Sequence, residues 1–121
     1  MRMKKLLMIY NRFDIVTVPF PFSDKQGLKK RPALILSSHE SFNIPNQSVV
    51  LAMITTTKST WVNDVKIKNL NSTGLTKECK VRFKLFTLDM NLVIQKIGQL
   101  DEIDQWNVLE AMTSVCLKEE G

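Results

Sequence analysis

Arg31 stands between a pair of lysines and a proline, where the basic stretch Lys29-Lys30-Arg31 runs into the unbroken apolar segment Pro32-Ala33-Leu34-Ile35-Leu36. Proline fixes its own φ and biases the residue before it toward an extended backbone, so the guanidinium is carried on the rim of a core and not on a loose turn. A second set of cations alternates with apolar residues along Cys79-Lys80-Val81-Arg82-Phe83-Lys84-Leu85. In a strand that period sets Lys80, Arg82 and Lys84 on one wet face. Hydroxyls follow a third apolar run at Thr55 and Thr56. Arginine, lysine and hydroxyl donors together bind phosphate and stabilise extra charge on it. RNA supplies its own nucleophile, the 2′-hydroxyl, so an enzyme acting on it need only align that group, stabilise the phosphorus and move a proton; no metal is required.

Other chemistries lack their residues. There is no phosphate-binding glycine loop, no paired histidine and no nucleophile elbow, and His39 is the one histidine. Cys79 and Cys116 lie far apart without metal-ligand spacing, which reads as two reduced core thiols. Asp14 and Asp24 read as loop and turn carboxylates, and His39 as a surface residue. The cations on Lys29, Lys30, Lys80, Arg82 and Lys84 suit RNA, and equally a solvated surface; Arg31 taken alone would suit a surface ion pair.

The elements that must hold these groups are mostly strands. Asp14 to Phe20 is β-branched with period two and ends at prolines, as an edge or bent strand does. The runs 32–38 and 48–55 are continuously apolar, the pattern of strands covered on both faces. With weaker alternation over 62–68, the basic strand 79–85 and a last strand over 91–98, six strands are expected. Residues 38–47 read as a polar connection, and 69–76 as a loop containing Gly74. Ile103, Trp106, Leu109, Met112 and Cys116 recur at helical spacing and predict a helix over about 102–117 with those residues in the core. Asp101 is its expected N-cap, with Glu102 and Asp104 at the positive end of the dipole. The sum is a mainly β fold, a small, strongly bent sheet or barrel with one closing helix.

Composition sets the bounds. A chain of 121 residues, 44% hydrophobic and 24% charged, fits one globular domain over 1–121. No stretch approaches the ~18 apolar residues of a membrane span, and Leu6 to Tyr10 is too short for a signal-peptide core, so a cytoplasmic location is expected. The net charge of +5 is uneven: 16 of the 17 basic residues precede Asp101, while 6 of the 12 acidic residues follow from it onward. A basic body of this kind suits a polyanion such as nucleic acid.

At these residues the chain resembles the MazF/PemK-like toxins of type II toxin–antitoxin systems, the PemK-like branch above all. The matching pieces are Asp14-Ile15-Val16-Thr17-Val18-Pro19-Phe20-Pro21-Phe22-Ser23-Asp24, Lys30-Arg31-Pro32-Ala33-Leu34-Ile35-Leu36-Ser37, Ala52-Met53-Ile54-Thr55, Gly74-Leu75, Thr87-Leu88-Asp89 and Ile97-Gly98-Gln99-Leu100, in the family's order. The resemblance implies a homodimeric SH3-like barrel, close to the CcdB fold. It implies cleavage of single-stranded RNA, mRNA included, without metal or cofactor, to 2′,3′-cyclic phosphate and 5′-hydroxyl ends. It also implies neutralisation by a cognate acidic antitoxin, in a complex that binds DNA. Carried over by motif, Arg31 is the catalytic arginine, Thr55 the hydroxyl that positions the phosphate, and Arg82 the match to a second functional arginine. Lys29, Lys30, Thr56, Lys80 and Lys84 complete the expected RNA contacts, and 27–30 becomes a gate.

The chain departs from the family pattern at three positions. Phe13 replaces a usual glycine, Phe86 a frequent arginine, and Lys84 lies near a position where some members have aspartate; the glutamate-glutamine pair of the MazF branch is lacking. The general base stays open. So do three alternatives: a CcdB-like gyrase poison, a plain nucleic-acid-binding module, and a family member with weakened activity.

Overall fold

A computed structural model describes residues 9–19 and 29–119. Six antiparallel strands form one curled sheet: β1 (Asp14–Pro19), β2 (Lys30–Ile35), β3 (Ser48–Thr55), β4 (Val65–Lys66), β5 (Lys80–Asp89) and β6 (Gln95–Gln99). Their order across the sheet is β4-β5-β3-β2-β1-β6. Helix α1 (Glu102–Cys116) packs against one face. This is the half-barrel with a C-terminal helix that the strand pattern predicts. Phe20, Asp24, Gly27 and Leu28 lie outside the described residues.

Continuous apolar runs arise because β1 to β3 are covered on both sides. Ile15, Leu34, Ala52 and Ile54 join the core under α1, with Val108 and Ala111 of the helix. Val16, Val18, Ala33, Ile35 and Leu51 fill a second cluster on the opposite face with Tyr10, Met90 and Val93. Strand β3 has the expected bounds. Strand β2 runs 30–35 and not 32–38, so Arg31 is within the ladder and pairs with Val18. The polar connection after it is a π turn, His39–Asn43, continued by one α turn, Ile44–Asn46. Buried Asn43 anchors that turn by donating to the Tyr10 and Ser37 carbonyls at 2.9 and 3.2 Å. The strand expected over 62–68 shrinks to the two residues of β4, and the last strand begins at Gln95.

The helix is rotated from the side its apolar spacing predicts, so that Leu109 and Met112 still pack against the core but the other three predicted residues do not. Asp104, Val108 and Ala111 are buried, whereas Trp106 is 64% exposed and Ile103 and Cys116 are exposed too. Asp104 is the cause: its carboxylate accepts the backbone N–H groups of Lys68 at 2.9 Å and Asn69 at 3.0 Å. A buried carboxylate satisfied twice by backbone donors fixes the rotation of the helix. Asp101 holds the N-cap position, yet its side chain makes no capping bond. Among the described residues no helix is long and apolar enough to cross a membrane.

Phe13, at the place of the family's glycine, adopts φ 76°, a conformation costly for a residue with a Cβ. The ring is retained in the core under α1, 8% exposed, and the backbone is held by Phe13 N–H to Ile35 O at 2.7 Å and Leu100 N–H to Phe13 O at 3.0 Å. Gly74 and Gly98 serve close packing: the 69–76 loop lies on β6, and a Cβ on Gly98 would sit 2.4 Å from Ser72 O.

Candidate active site

Register alone gathers the predicted groups. Ala33 pairs with Met53, so Arg31 and Thr55, two residues further out on each strand, follow on the same face. Thr55 pairs with Lys80, Lys80 with Lys66, and Arg31 with Val18. One row across five strands therefore reads Val18, Arg31, Thr55, Lys80, Lys66, paired throughout except between Arg31 and Thr55, where the β2–β3 ladder has ended. The row inside it reads Val16, Ala33, Met53, Arg82. Moving outward, this face changes from apolar core to cations and hydroxyls at the sheet end where β2 begins and β3 stops.

Arg31, Thr55 and Thr56 line a cleft of about 410 Å³ together with Met53, Leu75 and Cys79. Beside it lies a hollow of about 330 Å³ that shares Thr55, Thr56 and Cys79 and adds Lys58, Lys66 and Lys80. The Arg31 Nε is buried with no hydrogen-bond partner, and among the described residues Arg31 has no ion pair. Arg31 itself lines the cleft, and a guanidinium that no carboxylate among the described residues neutralises suits an incoming anion. Thr55 Oγ1 accepts the Thr57 N–H at 3.2 Å, which leaves its own proton to donate into the cleft.

The remaining predicted residues divide. Lys29 and Lys30 are exposed at the start of β2, where Lys30 pairs with Pro19. Lys80 lines the hollow. Lys80 and Arg82 share the expected face of β5, opposite Thr55 and Met53, but that face is not uniformly wet, and between the pairs Leu51–Phe86 and Met53–Arg82 one residue of β3 faces three of β5. Lys84 is exposed within that irregularity, and Arg82 is only 7% exposed. Arg82 gives Nε and Nη2 to Asp64 at 3.2 and 2.9 Å and Nη2 to Ser59 O at 3.0 Å, and its guanidinium lies 4.8 Å from the centre of the Trp61 ring. Arg82 thus braces the loop after β3. Asp64 and Trp61 were not singled out in the sequence; a carboxylate and an aromatic in a loop of hydroxyls carry no periodic signal.

Burial by itself would raise the Asp64 carboxyl, but hydrogen bonds from Arg82 and from the Trp61 backbone N–H outweigh it and hold the group below its ordinary value of 3.8. A lowered folded value means the brace stabilises the protein fully above about pH 3.8 and loses that contribution as pH falls through the folded value. The melting temperature of Asp64→Asn should therefore lie below that of the wild type at neutral pH, and the gap should close in acid below about pH 4. Thermal melts across pH would show it; a gap that persists unchanged to pH 2 would remove the ion pair as its cause.

Cys79 is buried, as expected of a core thiol, whereas Cys116 is exposed at the end of α1. Burial first, and then the Asp104 charge, push the Cys79 thiol up. Since the thiolate is the reactive form, iodoacetamide at neutral pH should modify Cys116 first and Cys79 only once the protein is unfolded. Mass mapping of the labelled peptides checks this. His39 lies after the far end of β2, about 15–20 Å along the strand from Arg31, and cannot serve this cleft. The carboxylate that shares the lining of the hollow is Glu78, which the sequence did not mark out.

A half-barrel whose sheet end opens as a cationic, hydroxyl-lined cleft defines a class of phosphate-handling β proteins closed by one helix. Within that class, the chain belongs to the PemK-like, MazF-like toxins of type II toxin-antitoxin systems, whose family model matches residues 11–116. Among curated proteins no sequence matches significantly. The fold is similar to that of an endoribonuclease in complex with its cognate antitoxin from a mycobacterial species, with a TM-score of 0.73 and 18% identity over 92% of this chain and 99% of the other. MazF from Deinococcus radiodurans superposes with a TM-score of 0.69 at 16% identity, over 89% and 96% of the two chains. The toxin MazF-mt6 of Mycobacterium tuberculosis gives 0.67 at 22% identity, over 88% and 99%.

Proposed function

We propose that this protein is an endoribonuclease toxin that cleaves single-stranded RNA, with Arg31 and Thr55 as its catalytic residues. The observation that carries this reading is that Arg31, which has no ion pair among the described residues, and Thr55 line one cleft. The 2′ oxygen attacks the adjacent phosphorus, the bond to O5′ breaks, and the products are a 2′,3′-cyclic phosphate and a 5′-hydroxyl. Arg31 holds the non-bridging oxygens as negative charge grows, and Thr55 donates to the same phosphate and fixes its orientation. Lys29, Lys30, Lys80 and Thr56 carry flanking phosphates along the row. The 2′ proton leaves to water or to a carboxylate such as Glu78, and the departing O5′ takes a proton from water to become the 5′-hydroxyl.

The departures from the family pattern do not reach this cleft. Phe13 precedes the far end of β1, and Phe86 lies six residues along β5 from Lys80. The family match supports this enzyme over a CcdB-like gyrase poison. The molecule acts in the cytoplasm as a single domain and is held inactive by an acidic antitoxin; the similarity to a mycobacterial endoribonuclease in complex with its cognate antitoxin supports that pairing. Exposed Leu92 and Ile94, beside edge strand β6, support a homodimer. The test is incubation with a long single-stranded RNA in EDTA. Fragments ending in cyclic phosphate are expected, and intact RNA at stoichiometric enzyme would overturn the reading.

A further inference from the structure

Trp61 is a large exposed side chain that the chemistry above leaves unused. It is 46% exposed, on the loop that leaves Thr55, and its neighbour Val62 is 89% exposed. One face of the ring carries the Arg82 guanidinium at 4.8 Å. Asp64 locks both partners, accepting from Arg82 and, at 2.8 Å, from the backbone N–H of Trp61. The Ser59 carbonyl ties this brace to the phosphate row, because it accepts from Arg82 Nη2 and from Lys80 Nζ. The ring is thus fixed before any ligand arrives, so a group binding to its other face costs little further ordering.

We propose that the open face of Trp61 is a stacking platform for a nucleobase flanking the phosphate held by Arg31 and Thr55. This rests on the RNA-cleaving reading. The surroundings decide for a base over an apolar protein surface: the loop that carries Trp61 also carries Thr56, Thr57 and Lys58, which line the hollow with Lys80, and Lys80 shares the Ser59 carbonyl with the Arg82 behind the ring; these groups suit the phosphate of the same nucleotide. Every base has a π face, so such a platform adds affinity with little sequence preference. Arg82 then acts as a positioning residue that holds the ring from behind.

The chain has two tryptophans, so a Trp106→Phe protein reports Trp61 alone. Titrated with a 2′-O-methyl single-stranded oligonucleotide, which cannot be cut, its fluorescence should be quenched. Trp61→Ala should bind about 5- to 100-fold more weakly, the range of one base–aromatic stack. Its salt dependence should match the wild type, whereas Arg31→Ala should flatten the slope by about 0.7, as loss of one phosphate contact does. Trp61→Phe, which keeps a ring on Arg82, should restore most of the affinity. Unchanged fluorescence and unchanged Trp61→Ala affinity, in a protein that still cuts RNA, would overturn the platform and leave the nuclease standing. The same pattern with lost antitoxin binding would assign the ring to a protein partner instead. A wild-type protein that neither binds nor cuts RNA would overturn both.

Discussion

Arg31→Ala is expected to slow RNA cleavage by about 100- to 1000-fold, the loss that follows removal of one preorganised donor to a developing oxyanion. The effect should be confined to activity. Arg31 Nε has no hydrogen-bond partner and, among the described residues, the side chain has no ion pair, so its removal strands no buried carboxylate. Circular dichroism and melting temperature should stay close to the wild type. Arg31→Lys should recover little, because a point charge cannot reproduce the planar fork that spans two phosphate oxygens. Thr55→Val keeps the shape of the strand end and removes the second donor. The double variant should lose less than the two single losses multiplied, as groups acting on one phosphate do. Initial rates on a labelled single-stranded RNA measure all four, and an Arg31→Ala protein that cuts at the wild-type rate would remove Arg31 from the mechanism.

Gly98→Ala should strongly reduce stability. Its Cβ would lie 2.4 Å from Ser72 O and 2.5 Å from Thr73 O, both backbone atoms of the loop packed on β6. A clash with backbone cannot be relieved by turning a side chain, so the cost belongs at the upper end for overpacking, about 3 kcal/mol. The melting temperature should fall on the order of 10 °C. Gly74→Ala meets the same packing from the other side, with Ile97 O at 2.3 Å and φ at +75°. The 69–76 loop leads into Leu75, Thr76 and Lys77 on the lip of the cleft, so both variants should also lose cleavage before they unfold. Urea titrations separate the two effects, and a Gly98→Ala protein melting within about 2 °C of the wild type would show that the loop can move away.

The legible parts of the chain were those where one requirement acted alone. Residues 48–55 had to be apolar throughout because both faces of β3 are covered, and their bounds were readable. Arg31 and Thr55 were readable as strand-end residues, and register then made them neighbours. Where two requirements competed, local pattern failed. The apolar spacing of α1 favoured Trp106 inside, but Asp104 satisfied two backbone donors and took the buried side. The alternation of 80–84 promised a wet cationic face, but Asp64 and the Ser59 carbonyl hold Arg82 buried. Phe13 left no sign of its positive φ, since phenylalanine is not a residue from which a left-handed backbone is read.

The row Arg31, Thr55, Lys80 has a consequence in time. Its members come from three strands widely separated along the chain, and the row is complete only when β2 has paired with β3 and β5 has docked on β3. A slip of one residue in either pairing would turn the groups of that strand to the opposite side. Activity therefore begins abruptly, with the last long-range pairing. A nascent chain that has not yet produced β5 is harmless to the cell that makes it, and so is a truncated one. Poison is present only as finished molecules, so an inhibitor of this protein needs to recognise only the completed fold.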